Sequence, residues 1–231
     1  MNVLEPGSLS LVGMAKLYAG SSGFSYASWK PDFYPAGTKA GDFLRTYAER
    51  LPTVELNATF YRLPSEEQLR TWAAQTPEGF RFAVKMSRQI THFGRVDGIA
   101  TFCERVRAMG DRLGPILIQL PPTRPRDEGL LRLFLDSLDP ELMYAFEFRH
   151  ESWAGIDLEG NALVGSLDGE AAFRYLRLRE PPYDEAGLRA WAKRIGPVLA
   201  DGVDVYAYLK HEDDPTAPAY AGRLLALCQT P

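Results

Sequence analysis

The chain has 231 residues, of which 45% are hydrophobic and 24% are charged, a balance typical of a globular protein with a sizeable buried core. A formal net charge of -4 excludes a general electrostatic attraction to nucleic acid or to an anionic membrane, so any bound anion must be held by a local cluster of basic residues. The two cysteines, Cys103 and Cys228, match neither a disulfide framework nor a metal-binding motif, which favours a cytoplasmic protein.

The N-terminal segment carries no targeting signal that we recognise. Residues 1–14 lack the basic region of a signal peptide, and no apolar run in the chain reaches the ~18 residues that a membrane span requires. We therefore interpret residues 1–14 as a flexible extension, expect no membrane partner, and assign residues 15–231 to a single domain.

The first half of the chain alternates strand-like and helix-like hydrophobic patterns. Strands are predicted at residues 16–20, 53–57, 80–85 and 116–120, and helices at residues 41–51, 65–77, 99–113 and 127–138. Ser65 opens its helix with the sequence of a capping box. Gly114 and Pro115 are predicted to stop the helix that precedes the fourth strand.

The second half continues the alternation less regularly. A fifth strand near residues 145–149 is followed by a short, Gly-rich segment that is too brief for a full helix. Further strands are predicted at residues 162–166, 173–179 and 203–209, and helices at residues 185–199 and 217–227. This order predicts an α/β fold, a single (β/α)8 TIM-like barrel with a shortened or missing helix after the fifth strand.

The fifth strand alternates aromatic and charged residues with a period of two. Phe146 and Phe148 are predicted to point to one face, and Glu147 and Arg149 to the other. Because strands of a parallel sheet are covered on both faces, this acid and base must be paired or used in a site. A purely structural ion pair between Glu147 and Arg149 is the alternative reading.

The carboxyl ends of barrel strands and the loops after them carry the chemistry of this fold class. Basic residues outnumber acidic ones there, which favours an anionic ligand, phosphorylated or carboxylated, held by guanidinium groups. The predicted catalytic residues are Glu55 and Glu147. The predicted ligand-binding residues are Asn57, Lys85, His92, Gln119, Arg149, His150, Trp153 and Arg177.

Each of these assignments has a plainer alternative. A lone histidine is more often a surface or capping residue than a catalytic one, and Trp153 belongs to a group of aromatic residues most of which are expected in the core. Three histidines without a spaced pair argue against a zinc site, and a magnesium ion on Glu55 and Glu147 has no specific support. We therefore predict no metal and no cofactor.

Several motifs in the first two thirds of the chain resemble those of the DUF72 (YecE-like) family. They are GSSGFSY at residues 20–26, VELNATFYR at 54–62, FAVK at 82–85, ITH at 90–92, QLPP at 119–122 and FEFRHESW at 146–153. The resemblance implies a TIM barrel of undetermined biochemical function. It supplies no established catalytic residues.

The last third departs from the family pattern. The family usually has a helix-containing segment where residues 154–160 stand, an Arg-Leu-His-Gly sequence where residues 177–180 read RLRE, and Phe-Asn-Asn where residues 209–211 read LKH. These differences remove polar groups from one side of the barrel and leave a flank that is open or covered in a homo-oligomer.

Three functions fit the sequence. The first is a barrel that binds or acts on a small anionic ligand, as a hydrolase, lyase or isomerase if it is an enzyme. The second, which rests on fold analogy alone and is unsupported by the net charge, is a nucleic-acid-processing or nucleic-acid-binding barrel. The third is a scaffold without catalysis, in which Glu147 and Arg149 are structural.

Overall fold

A computed structural model describes residues 15–210 and 214–229, so the predicted extension at residues 1–14 lies outside the described residues. Within these residues, parallel strands form one sheet in the order β1-β8-β7 and another in the order β2-β3-β4-β5-β6. The strands are β1 (Leu17–Ser21), β2 (Thr53–Leu56), β3 (Arg81–Lys85), β4 (Leu113–Leu120), β5 (Tyr144–Phe148), β6 (Ala162–Leu163), β7 (Phe173–Leu178) and β8 (Asp204–Leu209).

Helices alternate with the strands over most of the chain, which confirms an α/β fold built on parallel sheets. They are α1 (Phe43–Ala48), α2 (Ala58–Tyr61), α3 (Glu66–Ala74), α4 (Arg88–Thr91), α5 (Ile99–Val106), α6 (Glu128–Ser137), α7 (Glu185–Ala200) and α8 (Thr216–Gln229). The predicted cap at Ser65 is present, since its hydroxyl accepts a hydrogen bond from the Gln68 N–H at 3.2 Å. Asp127 and Asp184 cap α6 and α7 in the same way.

Gly114 and Pro115 do not stop a helix, and this prediction was wrong. Helix α5 ends at Val106 and is continued by a 3-10 helix over Arg107–Arg112, which the positive φ of 54° at Gly110 interrupts. Gly114 and Pro115 belong to β4, where the register against β3 shifts between two successive pairs. A proline is tolerated in a strand at such an irregularity, because the hydrogen bond that it cannot donate is already missing.

The helix expected to be short or missing after β5 is absent. Residues 149–161, all of which are described, contain only the 3-10 helix Glu151–Trp153. Trp153 covers the outer face of β5 instead, since its ring is stacked on Phe148 with centroids 4.5 Å apart. The connection from β6 to β7, residues 164–172, also contains no helix.

The strands separate two hydrophobic clusters, as their alternating side chains require. One cluster lies between the strands and the helices and includes Phe146. The other collects side chains of the opposite parity from both sheets: Tyr18, Ala83, Leu117, Ala145, Ala162, Phe173, Tyr175, Tyr206 and Tyr208. The strand faces that carry this inner cluster also carry the charged residues described below.

The two sheets approach each other closely at both of their edges. Gly20 of β1 lies so near β2 that a Cβ atom there would be 2.0 Å from the Thr53 carbonyl oxygen. At the other edge, the Gly165 N–H, just after β6, donates to the Tyr175 carbonyl of β7 at 2.9 Å. Side chains from the two sheets therefore reach one another across the inner face.

Candidate functional site

A chain of hydrogen bonds connects polar side chains at the carboxyl ends of five strands. We call it the strand-end network, and its members are Glu55, Asn57, Lys85, Gln119, Glu147, Tyr175 and Arg177. All except Tyr175 were predicted as site residues. Parallel strands end at the same edge, which explains why residues spread over more than a hundred positions meet here.

Arg177 is the centre of this network. Its guanidinium donates to Glu55 Oε1 at 2.8 Å and to Glu147 Oε2 at 2.6 Å, so it joins β7 to two strands of the other sheet. The Arg177 side chain is only 3% exposed, and its Nε has no hydrogen-bond partner among the described residues. Burial favours the neutral form of arginine, but the two carboxylates outweigh it and raise the pKa of Arg177 above its usual range.

Glu55 is fully buried and held on every side. Besides Arg177, the Tyr175 hydroxyl donates to its Oε2 at 2.8 Å and the Asn57 amide to its Oε1 at 3.2 Å. Burial raises the pKa of a carboxyl group, but here Arg177 and these hydrogen bonds together lower the pKa of Glu55. Glu55 is therefore ionised, and its oxygens are occupied by protein donors.

Glu147 is less enclosed than Glu55, since 15% of its side chain is exposed. It accepts hydrogen bonds from Arg177 and from the Gln119 amide, and the Nε of Arg149 lies 3.5 Å from its Oε1. Burial again opposes ionisation, but the charge of Arg177 overcomes it, so the pKa of Glu147 is lowered. Glu147 is thus the carboxylate of the network that solvent and ligands can reach.

Lys85 occupies a different environment from the other cations. Its Nζ donates to Gln119 Oε1 at 2.8 Å and lies 4.0 Å from the centre of the Phe60 ring. Among the described residues it forms no ion pair with a carboxylate. Burial, reinforced by the positive charge of Arg177, lowers the pKa of Lys85 to about 8.

His92 lies among positive charges. Its ring packs edge-on against the Phe60 ring, with 4.9 Å between the ring centroids, and Arg124 donates a hydrogen bond to the His92 backbone carbonyl at 2.8 Å. The pKa of His92 is lowered by burial, and then by the positive charges of the surrounding cations. We call these residues the basic cluster: Lys85, Arg88, His92, Arg124 and Arg149.

Two predicted ligand-binding residues have structural partners instead of facing the network. His150 caps the 3-10 helix Glu151–Trp153, where its Nδ1 accepts a hydrogen bond from the Ser152 N–H at 3.2 Å. Trp153 is 3% exposed and donates its indole N–H to the Arg124 carbonyl at 2.9 Å. Trp153 thereby fixes the loop that carries Arg124, and neither residue enters the ligand set proposed below.

Sequence reasoning missed three residues that complete the arrangement. Tyr175 is two residues before Arg177 on β7, so strand periodicity alone places both side chains on one face. Arg88 and Arg124 follow the ends of β3 and β4, and their position just after a strand could have marked them as candidate site residues. Arg88 and Arg124 were not predicted, because the sequence does not show how the loops that carry them fold back over the strand ends.

A cleft of about 630 Å³ adjoins the strand-end network on the side of β1 and β2. Asn57 contributes to both, and most of the other lining residues lie in the loop after β1 and in α3, including Tyr26, Gln68 and Trp72. None of the basic cluster lines it. We locate the chemistry at the charged network rather than in this cleft, because the cleft lining contains one charged residue, Glu67.

Residues 15–210 and 214–229 contain no group of three His, Cys, Asp or Glu side chains arranged to hold a metal ion. In the same residues, no helix is long and apolar enough to cross a membrane.

Comparison with known proteins agrees with the resemblance seen in the motifs. A family model described as "Protein of unknown function DUF72" matches residues 18–231. The UPF0759 protein YecE of Escherichia coli K12 is 38% identical over 153 residues, which are 62% of this chain and 56% of YecE. The UPF0759 protein YunF of Bacillus subtilis is 27% identical over 52% of this chain and 47% of its own length. The chain thus spans about half the length of the curated relatives it matches.

Solved structures show the same fold. A crystal structure of a DUF72 family protein from Thermotoga maritima superposes with a TM-score of 0.75, covering 91% of this chain and 98% of that chain at 22% identity. A second, from Enterococcus faecalis, gives a TM-score of 0.74 over 94% of this chain and 99% of that chain at 15% identity.

Proposed function

The chain belongs to the DUF72 family, and on that premise we propose that it binds a small anionic ligand, phosphorylated or carboxylated, at the carboxyl ends of its strands. The observation that carries the proposal is the basic cluster, in which Lys85 and His92 contact the same Phe60 ring and Arg124 donates to the His92 carbonyl. Burial lowers the pKa of the His92 imidazole most and the nearby cations lower it further, and a phosphate or carboxylate placed there would relieve this second effect.

The distribution of charge supports this ligand class. Arg177 forms ion pairs with both Glu55 and Glu147, so its charge is already neutralised within the protein. By contrast, Lys85, Arg88 and Arg124 have no ion pair with a carboxylate among the described residues. Cations left without a carboxylate beside a buried polar network are ready to hold an anion.

The roles within the ligand set follow from exposure. Arg149 is 40% exposed and touches Glu147 only at 3.5 Å, so its guanidinium is available for bidentate contact with an anion. Lys85 and Gln119 form the buried floor, and His92 is half-buried beside them. Glu147 is the better placed of the two predicted catalytic carboxylates, whereas Glu55 acts by fixing Arg177 and Asn57.

We further propose that both sheets belong to one closed barrel, as the motifs imply, and that residues 15–231 form a single domain. The hydrogen bond from Gly165 to Tyr175 and the contact of Gly20 with Thr53 support closure at the two edges. The ion pairs of Arg177 with Glu55 and Glu147 support an interior shared by the two sheets.

One observation favours nucleic acid as a second candidate ligand. Tyr61 and Phe93, near the basic cluster, are 70% and 64% exposed, and Arg88 lies 5.8 Å from the centre of the Tyr61 ring. Proteins that bind single strands combine exposed aromatic rings with basic residues in this way. Binding of a DNA oligonucleotide that weakens steeply with salt would support this candidate over a small metabolite.

Thermal stabilisation tests the proposal, because a ligand that binds only the folded state raises the melting temperature. Inorganic phosphate, phosphorylated sugars and small carboxylates are compared with neutral analogues of the same size. We expect stabilisation by one class of anion, and a loss of affinity of about tenfold or more in Arg149→Met, since hydrogen bonds to charged groups contribute about 1.5–3 kcal/mol.

The matched control is Arg132→Met. Arg132 on α6 pairs with Glu159 at 2.6 Å and is 62% exposed, so its loss removes a cation whose partner lies outside the network and the basic cluster. Equal affinity of Arg149→Met and the unchanged protein for the stabilising anion would refute the proposed site. No stabilisation by any anion would refute the function.

A further inference from the structure

The strand-end network contains two cations, Arg177 and Lys85. Arg177 is paired with two carboxylates, whereas the Lys85 nitrogen has a neutral partner, Gln119, and could act as a nucleophile as well as a positive charge. The Lys85 side chain is nearly buried, with the residue 9% exposed. The nitrogen is held at 2.8 Å from Gln119 Oε1, 4.0 Å over the Phe60 ring. The backbone is also anchored, because the Thr59 hydroxyl donates to the Lys85 carbonyl at 2.7 Å. The nitrogen is therefore fixed in place, and Gln119 Oε1 is its hydrogen-bond acceptor within the described part of the chain.

The charged groups around Lys85 act in opposing directions. Arg177 on β7 and Arg149 on β5 disfavour its protonated form, whereas Glu55 on β2 and Glu147 on β5 favour it. His92, after α4, is a further titratable neighbour. Burial tips the balance, so the pKa of Lys85 falls to about 8 and a useful fraction of the amine is neutral near that pH. A neutral, fixed amine is a nucleophile toward carbonyl carbon.

We propose that Lys85 captures the carbonyl group of the ligand as an imine, and that the ligand is an aldehyde or ketone bearing a phosphate or carboxylate group. This inference rests on the proposed function, since the basic cluster supplies the contact with the anionic group. It goes further by naming a covalent step and a substrate class. Arg149 beside Lys85 would hold the anionic end while the carbonyl meets the amine.

The covalent step is balanced without any oxidant or cofactor. The nitrogen lone pair of Lys85 forms a C–N bond to the carbonyl carbon, and the carbonyl oxygen takes a proton to give a carbinolamine. The C–O bond then breaks and the oxygen leaves as water with the two hydrogens that the nitrogen has lost. Amine and carbonyl compound thus give imine and water. The Gln119 amide, held between Lys85 and Glu147, positions the amine before the attack, by accepting a hydrogen bond from its nitrogen.

Reductive trapping tests this proposal on the full chain. The protein is incubated with glyoxylate, a carboxylated aldehyde, or with glyceraldehyde 3-phosphate, in the presence of sodium cyanoborohydride, which converts an imine into a stable secondary amine. Intact mass and peptide mapping then locate the adduct. Propanal, an uncharged aldehyde, is run in parallel. We expect single labelling at Lys85, at least tenfold faster with one of the anionic aldehydes than with propanal, and faster as the pH rises toward about 8.

Lys30 is the internal control, because its nitrogen also lies over a phenylalanine ring, 5.2 Å from the centre of Phe43. Labelling in Lys30→Arg is expected to match that of the unchanged protein, and Lys85→Arg is expected to abolish it. Mapping on the unchanged protein needs no variant to fold. Labelling spread evenly over the lysines, or absent at Lys85, would overturn the imine.

The outcomes for the two proposals are separable. If inorganic phosphate stabilises the protein through Arg149 but no aldehyde labels Lys85, the imine is refuted and the anion site stands. If propanal labels Lys85 as fast as the anionic aldehydes do and no anion stabilises the protein, the nucleophile stands and the anion site is refuted. If neither effect is seen, both are refuted.

Discussion

Arg177 and Glu55 form a buried ion pair, with 2.8 Å between the guanidinium Nη2 and the carboxylate Oε1. The two side chains are 3% and 0% exposed, and they belong to strands β7 and β2 of different sheets. Because each is buried, neither can be removed without stranding the other's charge. This pair therefore connects the stability of the fold with the geometry of the candidate site.

Arg177→Met is expected to lower the free energy of unfolding by about 3–5 kcal/mol, because it leaves Glu55 buried and uncompensated. Urea denaturation measures the loss. Arg189→Met is the matched control: Arg189 also lies 2.8 Å from a glutamate, Glu185, but is 62% exposed, so its loss is expected to cost about 0–1 kcal/mol. Similar costs for the two variants would show that the Arg177 pair is not buried as described.

Stability is expected to fall in acid partly through the network carboxylates. The pKa values of Glu55 and Glu147 are lowered in the folded protein, although burial opposes this, because Arg177 stabilises the ionised forms. A carboxyl with a lowered folded-state pKa contributes stability above its unfolded pKa of about 4.3, and this contribution disappears as the pH falls through the folded value.

Glu55→Gln and Glu147→Gln are therefore each expected to flatten the decline of unfolding free energy below about pH 4.3, as followed by urea denaturation from neutral to acid pH. Glu185 is a necessary comparison, because the Arg223 side-chain hydrogen bonds lower its pKa to about 2 on the surface. Glu185→Gln reports how much of the acid slope comes from outside the network. If the unfolding free energy of both network variants falls with acid as steeply as that of the unchanged protein, Glu55 and Glu147 are not ionised and paired with Arg177 in the folded state.

Gly20→Ala is expected to destabilise the protein by about 1–3 kcal/mol or more, since the added Cβ would lie 2.0 Å from the Thr53 carbonyl oxygen of β2. Gly196→Ala in α7 is the control, because no described residue beyond its neighbours in the helix lies within 4 Å of a Cβ there. Removing a glycine from a helix is expected to stabilise by about 0.5–1 kcal/mol. If thermal denaturation finds Gly20→Ala as stable as Gly196→Ala, β1 and β2 do not approach this closely.

His92 is expected to report the charge of the basic cluster. Its pKa is lowered by burial and by nearby cations, so removing one cation in Arg149→Met should raise this pKa, and adding phosphate to the unchanged protein should raise it too. NMR titration of the imidazole measures both shifts. Arg132→Met, which removes a cation that is not among those acting on His92, is expected to leave the titration unchanged. If the pKa of His92 is the same in Arg149→Met as in the unchanged protein, the Arg149 guanidinium does not lie close to the imidazole ring.

The order of strands and helices could be predicted because side-chain periodicity is local. The alternation of Phe146, Glu147 and Phe148 predicted the two faces of β5 correctly, and the missing helix after β5 followed from the short segment before Asn161. Gly114 and Pro115 were misassigned because their effect depends on the neighbouring strand. A Gly-Pro pair can end a helix, and it can also occupy an irregular position in a strand, so the sequence alone does not distinguish the two.

The site was predicted as a set of residues but not as an arrangement. Position at a strand end selected Glu55, Lys85, Gln119, Glu147 and Arg177, and all five are joined by hydrogen bonds. Their individual roles were not predictable. Arg177, expected to hold a ligand, is occupied by two carboxylates, because the distance across the sheets decides which charge neutralises which.

By itself, the sequence determined the α/β class, the family and the residues that gather at the strand ends, since each depends on local pattern or on motifs along the chain. Only the tertiary structure decided that Glu55 is sealed, that Glu147 and Arg149 remain accessible, and that Lys85 meets Gln119 and Phe60 instead of a carboxylate. Burial and pairing are properties of contacts between distant segments, and they set the protonation and reactivity of these groups.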